Sequence, residues 1–356
     1  MKLSIILTVS LIFLTQMLVG QEAILSAGFI YESAPFPECH ASTIEETPSG
    51  LVAAWFGGTR EKNPDVGIWV SRQEGESWSV PVEVANGIQH EDKRYPTWNP
   101  VLFYDKASQQ LLLFFKAGPT PSSWWGMLTV STDDGASWTE AHRLPEDIQG
   151  PVKNKPVLLA DGRLLCGSST EHDGWKVQME ITSDLGKNWK LIGPLEGENS
   201  DKVIQPTILI HGENRYQILC RTKKSSKIMQ SWSEDGGNSW RPFSQTSLPN
   251  PNSGLDGVTL ADGRHLLVYN HTKTPKGKWG GPRSPLNLAI SDDGILWKAV
   301  AKLETAPGEY SYPAVIQASD GKIHVTYTWK RERIKHVVLD PGKLGGHPMP
   351  DGEWVD

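Results

Sequence analysis

The chain has few cysteines, no long run of like charge and no stretch of helical periodicity. Its three cysteines among 356 residues, Cys39, Cys166 and Cys220, are far apart, which excludes a disulfide framework or a Cys-x-x-Cys metal site and predicts small core residues. The net charge of −6 without a basic stripe excludes a surface that follows a phosphate backbone, so we expect no nucleic-acid partner. The histidines lack companions at metal-ligand spacing, and we expect no metal ion and no other cofactor.

Long apolar runs are also scarce, apart from one at the N-terminus. Lys2 precedes an apolar run over residues 3–19, and small Gly20 follows it. This pattern predicts a secretory signal peptide over residues 1–20, with a membrane anchor as the alternative. We therefore expect a secreted or periplasmic protein whose remaining residues, 21–356, form one domain that does not insert into a membrane.

Tryptophan is abundant, with 15 residues, and it marks an internal repeat. A segment that combines Ser or Thr, Asp, Gly and a final Trp recurs five times, at residues 71–78, 131–138, 182–189, 233–240 and 290–297, although Gln73 replaces the Asp in the first copy. The successive tryptophans are 60, 51, 51 and 57 residues apart, a period typical of propeller blades. Asp and Gly favour a tight turn and Trp fills the space between sheets, so we interpret these aspartates as structural.

A second series of turns counts the blades. These turns, at residues 48–51, 105–108, 161–164, 212–214, 262–264 and 320–323, each lie between short apolar runs that favour β-strands. The sequence therefore predicts an all-β protein, a single-domain six-bladed β-propeller. We expect residues 23–31 to complete the sixth blade, which begins at Tyr310.

We call the five Trp-ended segments boxes. These boxes and the count of six blades resemble those of the sialidase (neuraminidase) superfamily, over nearly all of the chain after residue 20. The resemblance implies the sialidase-like propeller fold. The boxes carry information about fold rather than activity, because one fold hosts many chemistries.

The first strand of each propeller blade lines the axis, and its beginning faces the mouth where ligands bind. A distinctive polar residue stands at this point in all six predicted blades. We expect the six to line a convergent pocket: His40, Asn99, Lys155, Gln205, Asp256 and Tyr312.

The resemblance also implies roles for individual residues. Sialidases hold a sugar carboxylate with three arginines and use a Tyr–Glu nucleophile pair with an aspartate acid/base. Arg221 and Arg283 occupy places similar to the second and third arginines. Tyr310 resembles the nucleophilic tyrosine, and Asp65 falls where the acid/base aspartate would be.

Two positions depart from the family pattern. Residues 40–42 read His-Ala-Ser where the family has Arg-Ile-Pro, and Gln205 stands in place of the glutamate. Without that carboxylate, Tyr310 has no evident base, which places sialic acid hydrolysis in doubt. Two arginines are still sufficient to bind one carboxylate through paired hydrogen bonds.

These residues suggest β-elimination on a terminal uronate. Neutralising the carboxylate makes the C5 hydrogen easier to remove, and His40, with an ordinary pKa of about 6.5, is a suitable base, with Tyr310 as the second candidate. Asp65, if protonated, could protonate the leaving C4 oxygen. Structural readings stay open: His40 as a core histidine, Arg221 on a solvated face and Asp65 in a turn.

The leading hypothesis is thus an exported enzyme that acts on the non-reducing-end acidic sugar of an oligo- or polysaccharide as a lyase or dehydratase. The alternatives are an exo-α-sialidase or related glycosidase, and a sugar-binding propeller without catalysis. We expect a monomer. Candidates to stack on or clamp a further sugar are Arg94, Trp98, Trp124 and Trp125.

Overall fold

The computed structural model describes residues 22–354, except residues 91, 198, 201, 224 and 225. The predicted signal peptide lies outside these residues, so export remains a prediction from sequence. Within the described part, no helix is long and apolar enough to span a membrane. Cys39, Cys166 and Cys220 are all free thiols and buried, as expected of small core residues.

The described residues form six antiparallel sheets of four or five strands, which confirms the predicted six-bladed propeller. The first strands of blades four, five, six, one and two contact one another in that order around the axis. Blade one comprises Glu38–Thr47, Gly50–Gly58 and Gly67–Glu74, with the short strands Ser77–Trp78 and Val82–Ala85 at its outer edge. Blade two comprises Thr97–Asp105, Gln110–Ala117, Trp125–Ser131 and His142–Arg143. Blade three comprises Val157–Leu158, Leu164–Thr170, Lys176–Thr182 and Trp189–Ile192. Blade four comprises Val203–Ile210, Tyr216–Thr222, Lys227–Ser233 and Ser244–Pro249.

The N-terminal strand closes the ring, as the sequence predicted. Blade five comprises Asp256–Thr259, His265–Tyr269, Leu286–Ser291, Trp297–Glu304 and His347–Pro348, and blade six comprises Tyr310–Gln317, Ile323–Trp329, Arg333–Leu339 and Ile24–Phe29. Ile24–Phe29 runs antiparallel to Arg333–Leu339, with Ile24 opposite Leu339 and Phe29 opposite Lys335. A short hairpin, Ile88–His90 with Lys93–Arg94, and two 3₁₀ turns, Pro341–Lys343 and Pro350–Gly352, complete the described elements.

The apolar core lies between blades, where the side chains of adjacent sheets meet. Leu102 and Leu111 of blade two pack with Val52 of blade one, and equivalent clusters fill the other junctions. Because each sheet is apolar on both faces, its strands read as nearly continuous apolar runs rather than as alternating patterns.

The tryptophan boxes form the turns that the sequence predicted. Asp133 accepts hydrogen bonds from the backbone N–H and the hydroxyl of Ser137, at 2.8 and 2.6 Å, which lower the pKa of its carboxyl to about 2. In the fifth box Asp293, and not Asp292, makes the equivalent contacts, with Ile295 and Leu296, because the segment from Ser to Gly is one residue shorter there. These carboxylates are structural.

A β-bulge near the start of the first strand recurs in blades one, two, four and six. Each bulge carries one residue at positive φ, +56°, +43°, +57° and +51°, in the order Ala41, Asn99, Gln205 and Tyr312. Such conformations are uncommon for residues other than glycine and concentrate at functional sites. Proline follows three of these four residues, and the unpaired bulge tolerates its missing N–H.

Candidate functional site

Arg221 lies on the second strand of blade four and is only 6% exposed. Its Nη1 donates to the hydroxyl of Tyr312 at 2.6 Å and to Oε1 of Gln205 at 3.3 Å, and its Nε donates to Oδ1 of Asn252 at 2.8 Å. A buried cation needs such partners to offset its desolvation. Arg221 therefore belongs to an internal polar cluster and not to a solvated face.

His40 packs against the ring of Tyr312, with ring centroids 4.2 Å apart and an interplanar angle of 49°. Among the described residues, its Nδ1 has no hydrogen-bond partner. Burial lowers the pKa of His40 well below its usual value, and the positive charges of Arg331 and Arg283 lower it further. His40 is therefore neutral at pH 7 and can accept a proton.

Arg283 lies on the loop that precedes the third strand of blade five and reaches the same tyrosine. Its Cζ is 5.8 Å from the centroid of the Tyr312 ring, the same distance as that of Arg221. The Arg283 side chain is 22% exposed, so solvent and ligands can reach it. The structure thus brings His40, Arg221, Arg283 and Tyr312 together.

A network of ion pairs holds Arg283 in place. The Glu309 carboxylate accepts from Nη1 of Arg283 at 2.7 Å and from Nε of Arg331 at 3.1 Å, and Arg331 also pairs with Glu61 at 2.5 Å. Burial raises the pKa of Glu309, but the two arginines outweigh it and the net shift is downward. A polar cleft of about 530 Å³ adjoins this network, lined by Glu38, Arg60, Glu61, Lys62, Asn63 and Arg331.

Lys153 supports the bulge at Tyr312. Its ammonium donates to the carbonyls of Leu255 and Pro313 at 2.7 and 2.5 Å and to Oδ1 of Asn154 at 2.8 Å. Burial lowers its pKa to about 7. Since it holds the carbonyl of Pro313, the residue after Tyr312, it anchors the backbone at this bulge.

Sequence reasoning did not find Lys153, Glu309 or the ion-pair role of Arg331. Lys153 stands two residues before the expected Lys155, and Arg331 lies in a turn with φ of +63°. Only its run of charged neighbours at the end of a strand marks Arg331 in the sequence.

Lys155 and Asp256 lie near each other but have no described contact with Tyr312. Their Nζ and Oδ2 atoms are 4.0 Å apart. The buried Asp256 carboxylate accepts from the Thr207 hydroxyl at 2.7 Å and from the Val315 N–H at 2.9 Å, which ties blades four, five and six together. Its contacts identify Asp256 as a structural carboxylate.

Gln205 and Asn99 are both at bulges, but only Gln205 touches the cluster. Nε2 of Gln205 lies 3.4 Å from the Tyr312 hydroxyl, where the resemblance implied a glutamate. Asn99 is 5% exposed and begins the bulge of blade two.

The structure does not bring the Tyr310 side chain to the arginine pair, although its backbone N–H donates to the Arg283 carbonyl at 3.0 Å. Its ring is 1% exposed and lies in the apolar cluster between blades five and six, with Leu260 and Tyr327. Burial also raises the pKa of its hydroxyl. Residues two apart share a face of a regular strand, but the bulge at Tyr312 reverses that expectation. Tyr312 therefore stands where the sequence analysis placed Tyr310.

Asp65 is exposed on a loop of blade one. It accepts hydrogen bonds from the N–H of Thr59 at 2.8 Å and from the Thr59 hydroxyl. Slight burial raises its pKa, but these bonds and the charge of Arg94 outweigh it, and the pKa lies below its usual value. The carboxylate is ionised at neutral pH, which is unfavourable for the expected proton donor.

Comparisons with known proteins agree with this fold. The sequence model of the family described as BNR repeat-like domain matches residues 49–325. A sialidase of Bacteroides fragilis is 20% identical over 239 residues, which cover 61% of this chain and 41% of the relative. The matched segment thus spans about two fifths of that sialidase.

Solved structures match over most of the chain. The NanB sialidase of Streptococcus pneumoniae has a TM-score of 0.70 at 13% identity, with 91% of this chain and 71% of that chain covered. The intramolecular trans-sialidase of Ruminococcus gnavus has a TM-score of 0.71 at 13% identity, with 92% and 99% covered. A protein of unknown function from Dyadobacter fermentans has a TM-score of 0.71 at 16% identity, with 89% and 98% covered. At these identities the likeness shows the propeller fold.

Proposed function

Because the chain belongs to the family of BNR repeat-like domains and folds as a sialidase-like propeller, we propose that it is a carbohydrate-active enzyme that acts by β-elimination on the uronate at the non-reducing end of an oligo- or polysaccharide. One observation carries the proposal. Two guanidinium groups, those of Arg221 and Arg283, lie at the same 5.8 Å from the ring of Tyr312, which also packs against a neutral His40.

The arginine pair is suited to a carboxylate. Guanidinium N–H groups match carboxylate oxygens in forked geometry, and their charge withdraws electron density from the adjacent carbon. In a uronate that carbon is C5, whose hydrogen becomes easier to remove. Stabilisation of developing charge by preorganised donors is a large contribution to catalysis.

His40 then acts as the base. Burial lowers its pKa most, and the surrounding cations lower it further. A bound carboxylate offsets part of that positive charge, which raises the basicity of His40 when substrate is present. The imidazole takes the C5 proton, and the C5–H electron pair forms the C4=C5 double bond as the C4–O bond breaks.

Tyr312 supplies the proton to the leaving C4 oxygen. The N–H of Arg221, 2.6 Å from the tyrosine oxygen, stabilises the negative charge left on it. Solvent then carries the proton of the imidazolium back to the phenolate. A uronate at the non-reducing end carries a hydroxyl at C4, so the products are the unsaturated sugar and water. A sugar leaves instead where the C4 oxygen of the uronate carries one.

Glycoside hydrolysis is the second candidate, favoured by the relatives named as sialidases and by a tyrosine at the site. Among the described residues, however, no carboxylate hydrogen-bonds to the Tyr312 hydroxyl, and its partners are Arg221 and Gln205. A tyrosine nucleophile needs a base at that position.

The test mixes purified protein with uronate-ended disaccharides and, separately, with a chromogenic sialoside. A rise in near-ultraviolet absorbance that His40→Ala abolishes is the expected result. Released sialic acid without that rise supports hydrolysis instead. Saturable binding with no turnover of either compound identifies a sugar-binding protein and contradicts the enzymatic proposal.

A further inference from the structure

Trp279 is the one exposed tryptophan of the 15, all of which lie within the described residues, and 62% of it is accessible. Trp98 and Trp124, which the sequence offered as sugar-stacking candidates, are 2% and 3% exposed. Exposing an indole of this size to water is unfavourable unless it serves a contact.

The loop that carries Trp279 is fixed to the propeller. Nδ2 of Asn252 donates to the Trp279 carbonyl at 2.7 Å, and the N–H of Gly281 donates to the Pro251 carbonyl at 2.8 Å. A side chain at Gly281 would lie 2.4 Å from the Lys273 carbonyl, so glycine is required for this approach. The exposed indole is therefore held on an anchored loop.

Two chains of contacts lead from Trp279 to Arg221. Asn252, which holds the Trp279 carbonyl, accepts from Nε of Arg221 at 2.8 Å. Trp175 packs edge-to-face on Trp279, with centroids 5.9 Å apart, and the Cζ of Arg221 lies 5.1 Å from the centroid of the Trp175 ring. The exposed indole is thus a neighbour of the carboxylate-binding arginine.

Lys223 adds a cation to this surface. Its ammonium is 4.3 Å from the centroid of Trp279 and 5.4 Å from that of Trp175. Among the described residues, no carboxylate lies within ion-pair distance of Lys223. The nearby Glu171 carboxyl accepts the Trp175 N–H at 2.7 Å; burial raises the pKa of Glu171, and the charges of Arg221 and Lys223 offset part of that rise. The ammonium lies over part of the Trp279 indole. The exposed remainder of the ring, next to this hydrogen-bond donor, suits a pyranose ring.

We propose that Trp279, Trp175 and Lys223 form a subsite for the second sugar of the acidic oligosaccharide. That sugar stacks on the exposed part of the Trp279 indole, and the Lys223 ammonium donates to one of its oxygens. The inference rests on the proposed function, since the first sugar is the one held by Arg221 and Arg283. It predicts that the protein prefers oligosaccharides to simple uronides.

The experiment measures dissociation constants by calorimetry, in a Tyr312→Phe background so that no ligand is consumed. The ligands are methyl glucuronide and glucuronate-ended disaccharides that differ in the second sugar. Trp279→Ala should weaken disaccharide binding by about tenfold and leave methyl glucuronide unchanged, whereas Trp279→Phe should retain most of the disaccharide affinity. Leu296→Ala, which removes a side chain that is 72% exposed in the box of blade five, is the matched control and should change neither.

Each other outcome is decisive. Disaccharide affinity that Trp279→Ala leaves intact overturns the subsite while the uronate site stands. Equal weakening of both ligands means that Trp279 only supports Arg221, and also overturns the subsite. If the protein binds none of the ligands, the proposed function and the subsite both fail.

Discussion

Replacement of Tyr312 by phenylalanine tests whether Tyr312, and not Tyr310 on the same strand, is the catalytic tyrosine. The change removes one hydroxyl, which accepts from Arg221 at 2.6 Å and lies 3.4 Å from Nε2 of Gln205. Arg221 keeps its bonds to Asn252 and Gln205, so we expect stability to fall by only about 1–2 kcal/mol.

Catalysis should suffer far more than stability. Loss of a proton donor costs roughly 10²–10⁴-fold in rate, or about 3–5 kcal/mol of transition-state stabilisation. Binding of the uronate should change by less than about threefold, because its carboxylate is held by the arginines. The assay is the near-ultraviolet absorbance of the unsaturated product, followed over time for a uronate-ended disaccharide.

Tyr310→Phe is the matched control, since Tyr310 is two residues away and its ring is 1% exposed in the apolar core. It should leave turnover within about twofold of the parent protein. If Tyr310→Phe abolishes turnover and Tyr312→Phe does not, the assignment of roles on this strand is wrong.

Three further predictions concern the ligand grip, acid stability and the ring closure. Arg283→Gln should weaken binding of methyl glucuronide by about thirtyfold without changing that of neutral methyl glucoside, as measured by calorimetry; equal effects on both would contradict a carboxylate contact. Burial lowers the pKa of His265 to about 4 and that of His336 to about 3, below the unfolded value of about 6.5. The unfolded chain therefore binds more protons than the folded one, and the free energy of unfolding decreases as the pH is lowered. Urea unfolding should show a loss of about 2 kcal/mol per histidine between pH 7 and pH 5, and His265→Gln should remove its share; a flat profile would refute the assignment. Asp256→Ala should destabilise the protein by about 3 kcal/mol, seen as a lower urea midpoint, because the Thr207 hydroxyl and the Val315 N–H lose their partner; Asp256→Asn should cost less.

The sequence predicted the fold in detail because the propeller repeats one local unit. Each box, such as residues 233–240, contains its own turn chemistry, and the spacing of the tryptophans counts the sheets without knowledge of long-range contacts. Even the closure by residues 23–31 follows from counting strands, since Ile24–Phe29 completes blade six.

The site was less predictable because its geometry depends on backbone irregularity and on distant ion pairs. Strand periodicity alone puts Tyr310 and Tyr312 on one face, but the bulge at Tyr312 separates them. Glu309 and Arg331 are 22 residues apart and meet across a strand pair. No local pattern marks such a contact.

The central claim is that Arg221 and Arg283 together hold the carboxylate of a terminal acidic sugar. The most direct measurement compares, by calorimetry on the Tyr312→Phe protein, a glucuronate-ended disaccharide with the same disaccharide after reduction of its carboxylate to a hydroxymethyl group. The account predicts that the acid binds at least about thirtyfold more tightly, and that Arg283→Gln removes most of this difference. Equal binding of the two disaccharides would contradict it.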